Sequence, residues 1–136
     1  LSPALRNIAP KKINEDVVVP VSRIPDLVEG LDQLSREYGI PIVNFGHAGN
    51  GNIHVNMLIN PDDAEEVEKS ATCLRKVFQL VLDLKGTLSG EHGVGLEKQA
   101  FVDMELDQNS LSLMKGIKQL CDPNNILNPG KMLPNI

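Results

Sequence analysis

The chain has 136 residues, of which 41% are hydrophobic and 23% are charged, and its formal net charge at pH 7 is -5. This length predicts one globular domain, residues 1–136, and the apolar content argues against disorder. The negative charge, without a long basic run, argues against nucleic acid and anionic membrane surfaces as partners. No apolar run approaches the ~18 residues of a membrane span, and no signal peptide is visible, so we expect a cytoplasmic location.

Two further features of composition bear on the class of protein. Cys73 and Cys121 lie in helix-like stretches without CxxC spacing, and they are predicted to be buried thiols of a reducing compartment. The chain opens at Leu1 without an initiator Met, so we expect it to be a piece of a longer protein.

The first half of the chain predicts a strand, a helix and a pair of strands. Residues 16–21 are short and β-branched, as in a strand. From Ser22 the apolar residues recur every three or four positions, which predicts an amphipathic helix with Ser22 as its N-cap and Gly39 as its end. Residues 42–45 and 53–59 are β-prone runs joined by a glycine-rich segment, which predicts a hairpin.

The second half of the chain is mainly helical. Asn60 as the cap and Pro61 in the first position predict a helix that ends at residues 85–86. A loop, two helices and an irregular tail are predicted at residues 87–96, 97–105, 110–121 and 122–134. The order strand, helix, strand, strand, helix predicts a ferredoxin-like α+β fold, an antiparallel sheet with helices on one face.

All three histidines fall within two glycine-rich segments, and the first segment allows a geometric prediction. Asn50-Gly51 favours a two-residue type I′ turn, in which His47 lies opposite His54. Directly opposed residues have Cβ atoms ~4.5–5.5 Å apart on one face of the sheet, so the two imidazoles could share a divalent ion. The same register places Asn56 on that face. The alternative is a hairpin whose two histidines bind nothing.

The second segment, Gly-Glu-His-Gly, supplies a carboxylate at Glu91. With His47 and His54 it makes two nitrogens and one carboxylate, the ligand set of a catalytic metal site with a free position. The same set suits zinc, manganese and ferrous iron, so the metal stays open. His92, next to Glu91, could serve as a general base near neutral pH. Taken alone, this segment could equally be a solvated turn.

These two segments and the tail at residues 122–131 resemble the C-terminal domain of FAD-linked oxidases. That is the family of D-lactate dehydrogenase, the flavin subunit of glycolate oxidase and D-2-hydroxyglutarate dehydrogenase. The likeness runs from about Arg6 to Pro134, and the three motifs occur in the family's order. One position departs from it: Asn50 stands where the family usually has Asp. Both residues suit a type I′ turn, but a role of that Asp in orienting a ligand histidine would be weakened.

The resemblance also implies a role for individual residues. The implied roles are metal ligand for His47, His54 and Glu91, base for His92, substrate contact for Arg6, Lys12 and Asn56, and proximity to the flavin for Asn128. By this resemblance the metal polarises a substrate hydroxyl, the base takes its proton, and a hydride passes to FAD as a D-2-hydroxy acid becomes a 2-oxo acid.

The resemblance places FAD mainly on a separate N-terminal domain. No dinucleotide fingerprint occurs in this chain, so we expect it to bind flavin weakly without that domain. The expected partners are the FAD-binding domain, a small 2-hydroxy acid and an electron-acceptor subunit. Two alternatives remain open: a metal-binding interaction module without chemistry, which has no need of Arg6 or His92, and a stand-alone metal-dependent hydrolase.

Overall fold

The computed structural model describes residues 10–133 and divides into two compact units, Leu1–Glu91 and His92–Ile136. In the first unit the described elements are β1 (Lys11–Val18), α1 (Ile24–Tyr38), β2 (Ile42–His47), β3 (Asn52–Ile59) and α2 (Ala64–Asp83). The strands form an antiparallel sheet in the order β1-β3-β2. This confirms the predicted α+β class. A ferredoxin-like sheet has a fourth strand, which would lie beside β1. Here Thr87 lies at that place and forms an isolated antiparallel bridge with Val18.

The core of the first unit lies between the sheet and its two helices. Successive strand residues point to opposite faces, so Met57 and Ile59 of β3 share one face. Both are buried and pack with Cys73 of α2, while Leu34 of α1 contacts the same cluster. The helices therefore cover one face of the sheet, as predicted, because their apolar stripes can be buried only against it.

The opposite face of the sheet carries most of its polar side chains. We call it the polar face, and the residues that the strand register places on it include Lys12, Asn14, Asp16, His47, Asn52, His54 and Asn56. The strand register thus places four of the residues assigned to the candidate site from the sequence on one surface: Lys12, His47, His54 and Asn56.

Several predicted boundaries were wrong. The first strand is Lys11–Val18 rather than residues 16–21, because pairing with β3 fixes its extent. Ser22 does not cap α1: a 3₁₀ turn, Val21–Arg23, precedes that helix, which has no side-chain cap. Gly39 ends α1 as predicted, with a φ of 66°.

The second helix begins later than predicted, because a different residue caps it. Asp63 Oδ1 accepts the backbone N–H groups of Glu65 at 3.0 Å and Glu66 at 3.1 Å. Asn60 Oδ1 instead accepts the N–H of Asp62, at 3.1 Å, in the turn before the helix. The capping side chain is therefore three residues further along the chain than predicted.

The second unit contains two described α-helices, α3 (Val102–Glu105) and α4 (Gln108–Cys121). The predicted helix at residues 97–105 is shorter, since its first part is a 3₁₀ turn, Gln99–Phe101. A small apolar cluster stabilises the unit, and its buried members are Val102, Leu111 and Leu133. None of the helices within residues 10–133 is long and apolar enough to span a membrane.

Asp122 organises the irregular tail that follows α4. Its carboxylate accepts the N–H groups of Ile126 at 3.0 Å and Leu127 at 2.9 Å, and it pairs with Lys118. The hydrogen bond from Lys118, with those from the backbone, holds the pKa of Asp122 below its ordinary value. The Asp-Pro-Asn-Asn segment is thus irregular, as predicted, but anchored at its first residue.

Candidate metal and substrate site

The loop between β2 and β3 sets the relative positions of the two histidines. The predicted type I′ turn is wrong: the loop comprises residues 48–51, and of the Asn50-Gly51 pair only Gly51 has a positive φ, 80°. Gly51 O accepts the N–H of Val19 at 3.1 Å, which ties the loop to the end of β1. Asn50 Oδ1 accepts the N–H of Asn52 at 3.2 Å inside the loop.

This longer loop shifts the predicted register by two residues. His47 lies opposite Asn52, and His54 lies opposite Phe45. His47 and His54 are therefore diagonal neighbours, but they remain on the same face because the shift is an even number of residues. Their ring centroids are 5.8 Å apart with an interplanar angle of 81°, and Phe45 flanks His54 at 5.5 Å.

Glu91 reaches these histidines from the segment after α2. Two hydrogen bonds between Val18 and Thr87, of 3.1 and 2.9 Å, hold the start of this segment beside β1. Asp16 then accepts the backbone N–H of Gly90 at 2.9 Å and of Glu91 at 2.7 Å. The Glu91 side chain lies with its Oε1 3.4 Å from Nε2 of His54.

The potential ligand atoms of His47, His54 and Glu91 all lie within 4.8 Å of one another. Two ligands on a tetrahedral zinc ion, each about 2.1 Å from it, are separated by about 3.4 Å. The distance between His54 Nε2 and Glu91 Oε1 equals that separation, and the other two separations are at most 4.8 Å. The His54 side chain is 12% exposed and that of Glu91 is 54% exposed, so the group is open on one side. The donor set and spacing fit a divalent cation.

Lys12 and Asn56 form a second polar pair on the same face. Lys12 Nζ donates to Asn56 Oδ1 at 3.4 Å, and Asn56 Nδ2 donates to the carbonyls of Val43 and His54 at 3.2 and 3.3 Å. Asn56 is fully buried, so these carbonyls fix its amide with the oxygen towards Lys12. The arrangement places an ammonium group on the face that carries the histidines.

The remaining predicted site residues lie elsewhere. Arg6 lies outside the described residues. His92 directly follows Glu91, is exposed, and is the first residue of the second unit. Asn128, with a φ of 49°, lines a cavity of about 500 Å³ in the second unit, together with Met114, Ile117 and Lys131.

Sequence reasoning missed Asp16 and Asn52. Asp16 is fully buried and Asn52 is 4% exposed, and Asn52 Nδ2 donates to Asp16 Oδ1 at 2.6 Å. The signal was a charged residue just before a β-branched run. The sequence predicts that the strand begins at Asp16, whereas pairing with β3 places Asp16 inside β1.

Comparison with known proteins identifies the family. The family described as FAD linked oxidases, C-terminal domain, matches residues 1–132. The chain is 39% identical over 129 residues to glycolate oxidase subunit GlcD of Bacillus subtilis (strain 168), an alignment covering 95% of this chain and 27% of that protein. It is 37% identical over 125 residues to probable D-lactate dehydrogenase, mitochondrial, of Danio rerio, covering 90% of this chain and 25% of that protein.

A third relative is D-2-hydroxyglutarate dehydrogenase of Stutzerimonas stutzeri (strain A1501), which is 37% identical over 122 residues, or 86% of this chain and 26% of that protein. The chain thus spans about a quarter of the length of the curated relatives it matches. Taken with the matched family and the motifs quoted above, these similarities show that the chain belongs to the FAD linked oxidases, as their C-terminal domain.

Proposed function

We propose that this chain is the substrate- and metal-binding part of an FAD-dependent enzyme that oxidises a D-2-hydroxy acid to the 2-oxo acid. The observation that carries this proposal is the meeting of His47, His54 and Glu91 within 4.8 Å on the polar face. It is supported by relatives named for the oxidation of glycolate, D-lactate and D-2-hydroxyglutarate.

In this proposal His47, His54 and Glu91 hold zinc, manganese or ferrous iron and leave a coordination position free. When bound, the cation supplies Lewis acidity to the substrate oxygens and FAD supplies the hydride acceptor. The residues of this chain then have three tasks: to hold the cation, to orient the carboxylate of the substrate and to take up a proton.

Lys12 and Arg6 are the proposed partners of the substrate carboxylate. Lys12 lies on the same face as the two histidines, and its ammonium group donates a hydrogen bond to Asn56 Oδ1. An ammonium held by an oriented amide oxygen loses less freedom when it binds an anion, so the pair would be pre-organised. Asn56 is fully buried, which favours a role in holding Lys12 over direct contact with the substrate.

His92 is the proposed base. Oxidation at C2 removes the hydroxyl proton and a hydride, so one group must accept the proton while the electron pair leaves with the hydride to the flavin. The proposal is supported by the exposure of His92 and by its position in the chain, directly after the proposed ligand Glu91.

The proposed partner of this chain is a flavin-binding domain of the same protein. The relatives of this chain are about four times longer than the region that it matches. In the second unit, Leu113, Ile117 and Leu120 lie at i, i+4 and i+7 of α4 and are exposed, 66%, 55% and 84% respectively. An exposed apolar stripe of this kind is suited to burial against another domain. Asn128 is proposed to lie near the flavin.

The test uses the full-length protein that contains this chain, purified with FAD. Glycolate, D-lactate and D-2-hydroxyglutarate are added in turn without oxygen, and reduction of the flavin is followed by its visible absorbance. One of these acids is expected to bleach the flavin. Chelation of divalent ions should abolish bleaching, and Zn²⁺, Mn²⁺ or Fe²⁺ should restore it. His54→Ala should behave like the chelated enzyme.

Three outcomes would contradict the proposal in different ways. Bleaching that survives complete metal removal would eliminate the cation. No bleaching by any 2-hydroxy acid would eliminate the dehydrogenase. Ester or phosphate hydrolysis that depends on the three ligands but not on FAD would favour the hydrolase alternative.

A further inference from the structure

We propose that Asp16 is the positioning residue that assembles the metal ligands, by binding the Glu91 segment to the strands that carry the two histidines. This inference rests on the proposed function. Asp16 lies within β1, directly opposite His54 on the central strand β3. It is fully buried, and its carboxylate faces the same side of the sheet as the ligands.

The two oxygens of Asp16 bind different parts of the site. Oδ1 accepts the side-chain N–H of Asn52, at 2.6 Å, and Asn52 lies opposite His47 in the β2–β3 ladder. Oδ2 accepts the backbone N–H groups of Gly90 at 2.9 Å and of Glu91 at 2.7 Å. One carboxylate therefore connects the hairpin that carries both histidines to the backbone of the third ligand.

A carboxylate is the group that these contacts require. Three N–H donors converge on two oxygens, and burying a charged group costs much free energy unless it is hydrogen-bonded in this way. Partners that orient metal ligands typically contribute 10–100-fold to metal affinity.

Gly90 allows the Glu91 segment to approach Asp16 closely. A Cβ atom at Gly90 would lie 1.9 Å from Asn52 Nδ2 and 2.7 Å from Asp16 Oδ1. The backbone of the segment can therefore reach the Asp16 carboxylate only because residue 90 has no side chain. The glycine before Glu91 is explained by this close approach, not by a positive φ.

The test compares Asp16→Asn, Asp16→Ala and a matched control, Val17→Ala, in the full-length protein. Val17 is also fully buried on β1, but its side chain points to the helix-covered face. Two quantities are measured: the dissociation constant for Zn²⁺ alone, by competition with a chelator, and the hydrogen exchange of the Gly90 and Glu91 amides in the metal-free protein.

Both Asp16 variants are expected to raise the Zn²⁺ dissociation constant about 10–100-fold and to accelerate exchange at the two amides. Val17→Ala should lower the melting temperature and leave both quantities unchanged. If Asp16→Ala does not fold, the near-isosteric Asp16→Asn decides. Wild-type affinity and wild-type amide exchange in Asp16→Asn would overturn the inference.

The two proposals fail separately. If the wild-type protein binds none of Zn²⁺, Mn²⁺ and Fe²⁺, the metal site of the proposed function fails, while the amide exchange still measures the role of Asp16 in holding the segment. If the wild type binds metal and Asp16→Asn shows both the same affinity and the same amide exchange, only the inference about Asp16 fails.

Discussion

Lys12 and Asn56 are joined across β1 and β3 by a hydrogen bond of 3.4 Å from the Lys12 ammonium to the Asn56 amide oxygen. Because the carbonyls of Val43 and His54 fix that amide, the ammonium is held on the face that carries the histidines. The proposed pairing of Lys12 with the substrate carboxylate rests on this contact.

Replacement of Lys12 should therefore raise KM rather than abolish chemistry. Under the proposed function, Lys12→Ala would remove a charge-assisted hydrogen bond to the substrate carboxylate, and we expect KM for the 2-hydroxy acid to rise about 10–100-fold. Lys11→Ala is the control, because Lys11 is an exposed neighbour on β1 that points to the other side of the sheet. Steady-state kinetics of the full-length protein measure both. Equal effects of the two substitutions would remove the specific role of Lys12.

Gly90→Ala should weaken the metal site although it changes no ligand. The added Cβ would collide with Asn52 Nδ2 and Asp16 Oδ1, so the Glu91 segment must move away from the sheet. We expect a Zn²⁺ affinity at least about tenfold lower, as for loss of a residue that orients a ligand. Gly49→Ala is the matched control, because a Cβ at Gly49 meets no atom within 4 Å and Gly49 has no positive φ. Unchanged affinity in Gly90→Ala would show that the segment tolerates displacement.

The two cysteines should differ sharply in reactivity. Cys73 is fully buried, and burial, with a smaller contribution from Glu37, raises the pKa of its thiol to about 11. Cys121 is exposed, which corrects the prediction that both are buried. With iodoacetamide at about pH 8, peptide mapping should find Cys121 alkylated and Cys73 protected, because the thiolate is the reacting species. Both should react in guanidinium chloride, and rapid labelling of native Cys73 would contradict its burial.

Asp122 should make the second unit sensitive to acid. Lys118 and two backbone N–H groups lower the pKa of Asp122, so its contribution to stability is present above its ordinary pKa and is lost as the pH falls below about 4. Asp122→Asn is expected to lower the melting temperature at pH 7 and to have little effect at about pH 2. Asp103→Asn, at an exposed position on α3, is the control. A difference that persists in strong acid would show that packing, not charge, explains the effect.

Asn50→Asp should preserve the loop. Asn50 uses only its side-chain oxygen in the described contact, as acceptor for the Asn52 N–H, and an Asp carboxylate can accept the same bond. The melting temperature of Asn50→Asp should match that of the wild type. Asn50→Ala should have a lower melting temperature, because losing this hydrogen bond lowers the free energy of unfolding by up to about 1 kcal/mol. Thermal denaturation of the two variants compares them. Equal stability of all three proteins would show that this hydrogen bond contributes nothing.

The sequence predicted the arrangement of the first unit because its signals were local and repeated. The apolar period of α1 and the alternation of β3 each extend over several residues, so single exceptions did not matter. The pairing of His47 and His54 on one face also survived a wrong turn type, since the true register differs by an even number of residues. The face of the sheet on which the two histidines lie was predictable, but the residue directly opposite each of them was not.

The errors came from contacts between segments that are distant in sequence. The Asn50-Gly51 turn was displaced because Gly51 bonds Val19, which no local pattern indicates. Asp16 was overlooked because its partners, Asn52 and the N–H groups of residues 90 and 91, come from two other parts of the chain. The roles assigned to all of the site residues, including the metal ligands His47, His54 and Glu91, stay predictions.

The alternation of side chains along the strands separates residues that pack against the helices from residues on the polar face. Residues such as Met57 are bound to the helices, whereas their neighbours Asn56 and Lys12 face away from that packing. Substitutions on the polar face therefore leave unchanged the side chains that pack against the helices. One side of such a sheet can thus change its polar groups while the other keeps the packing that holds the architecture together.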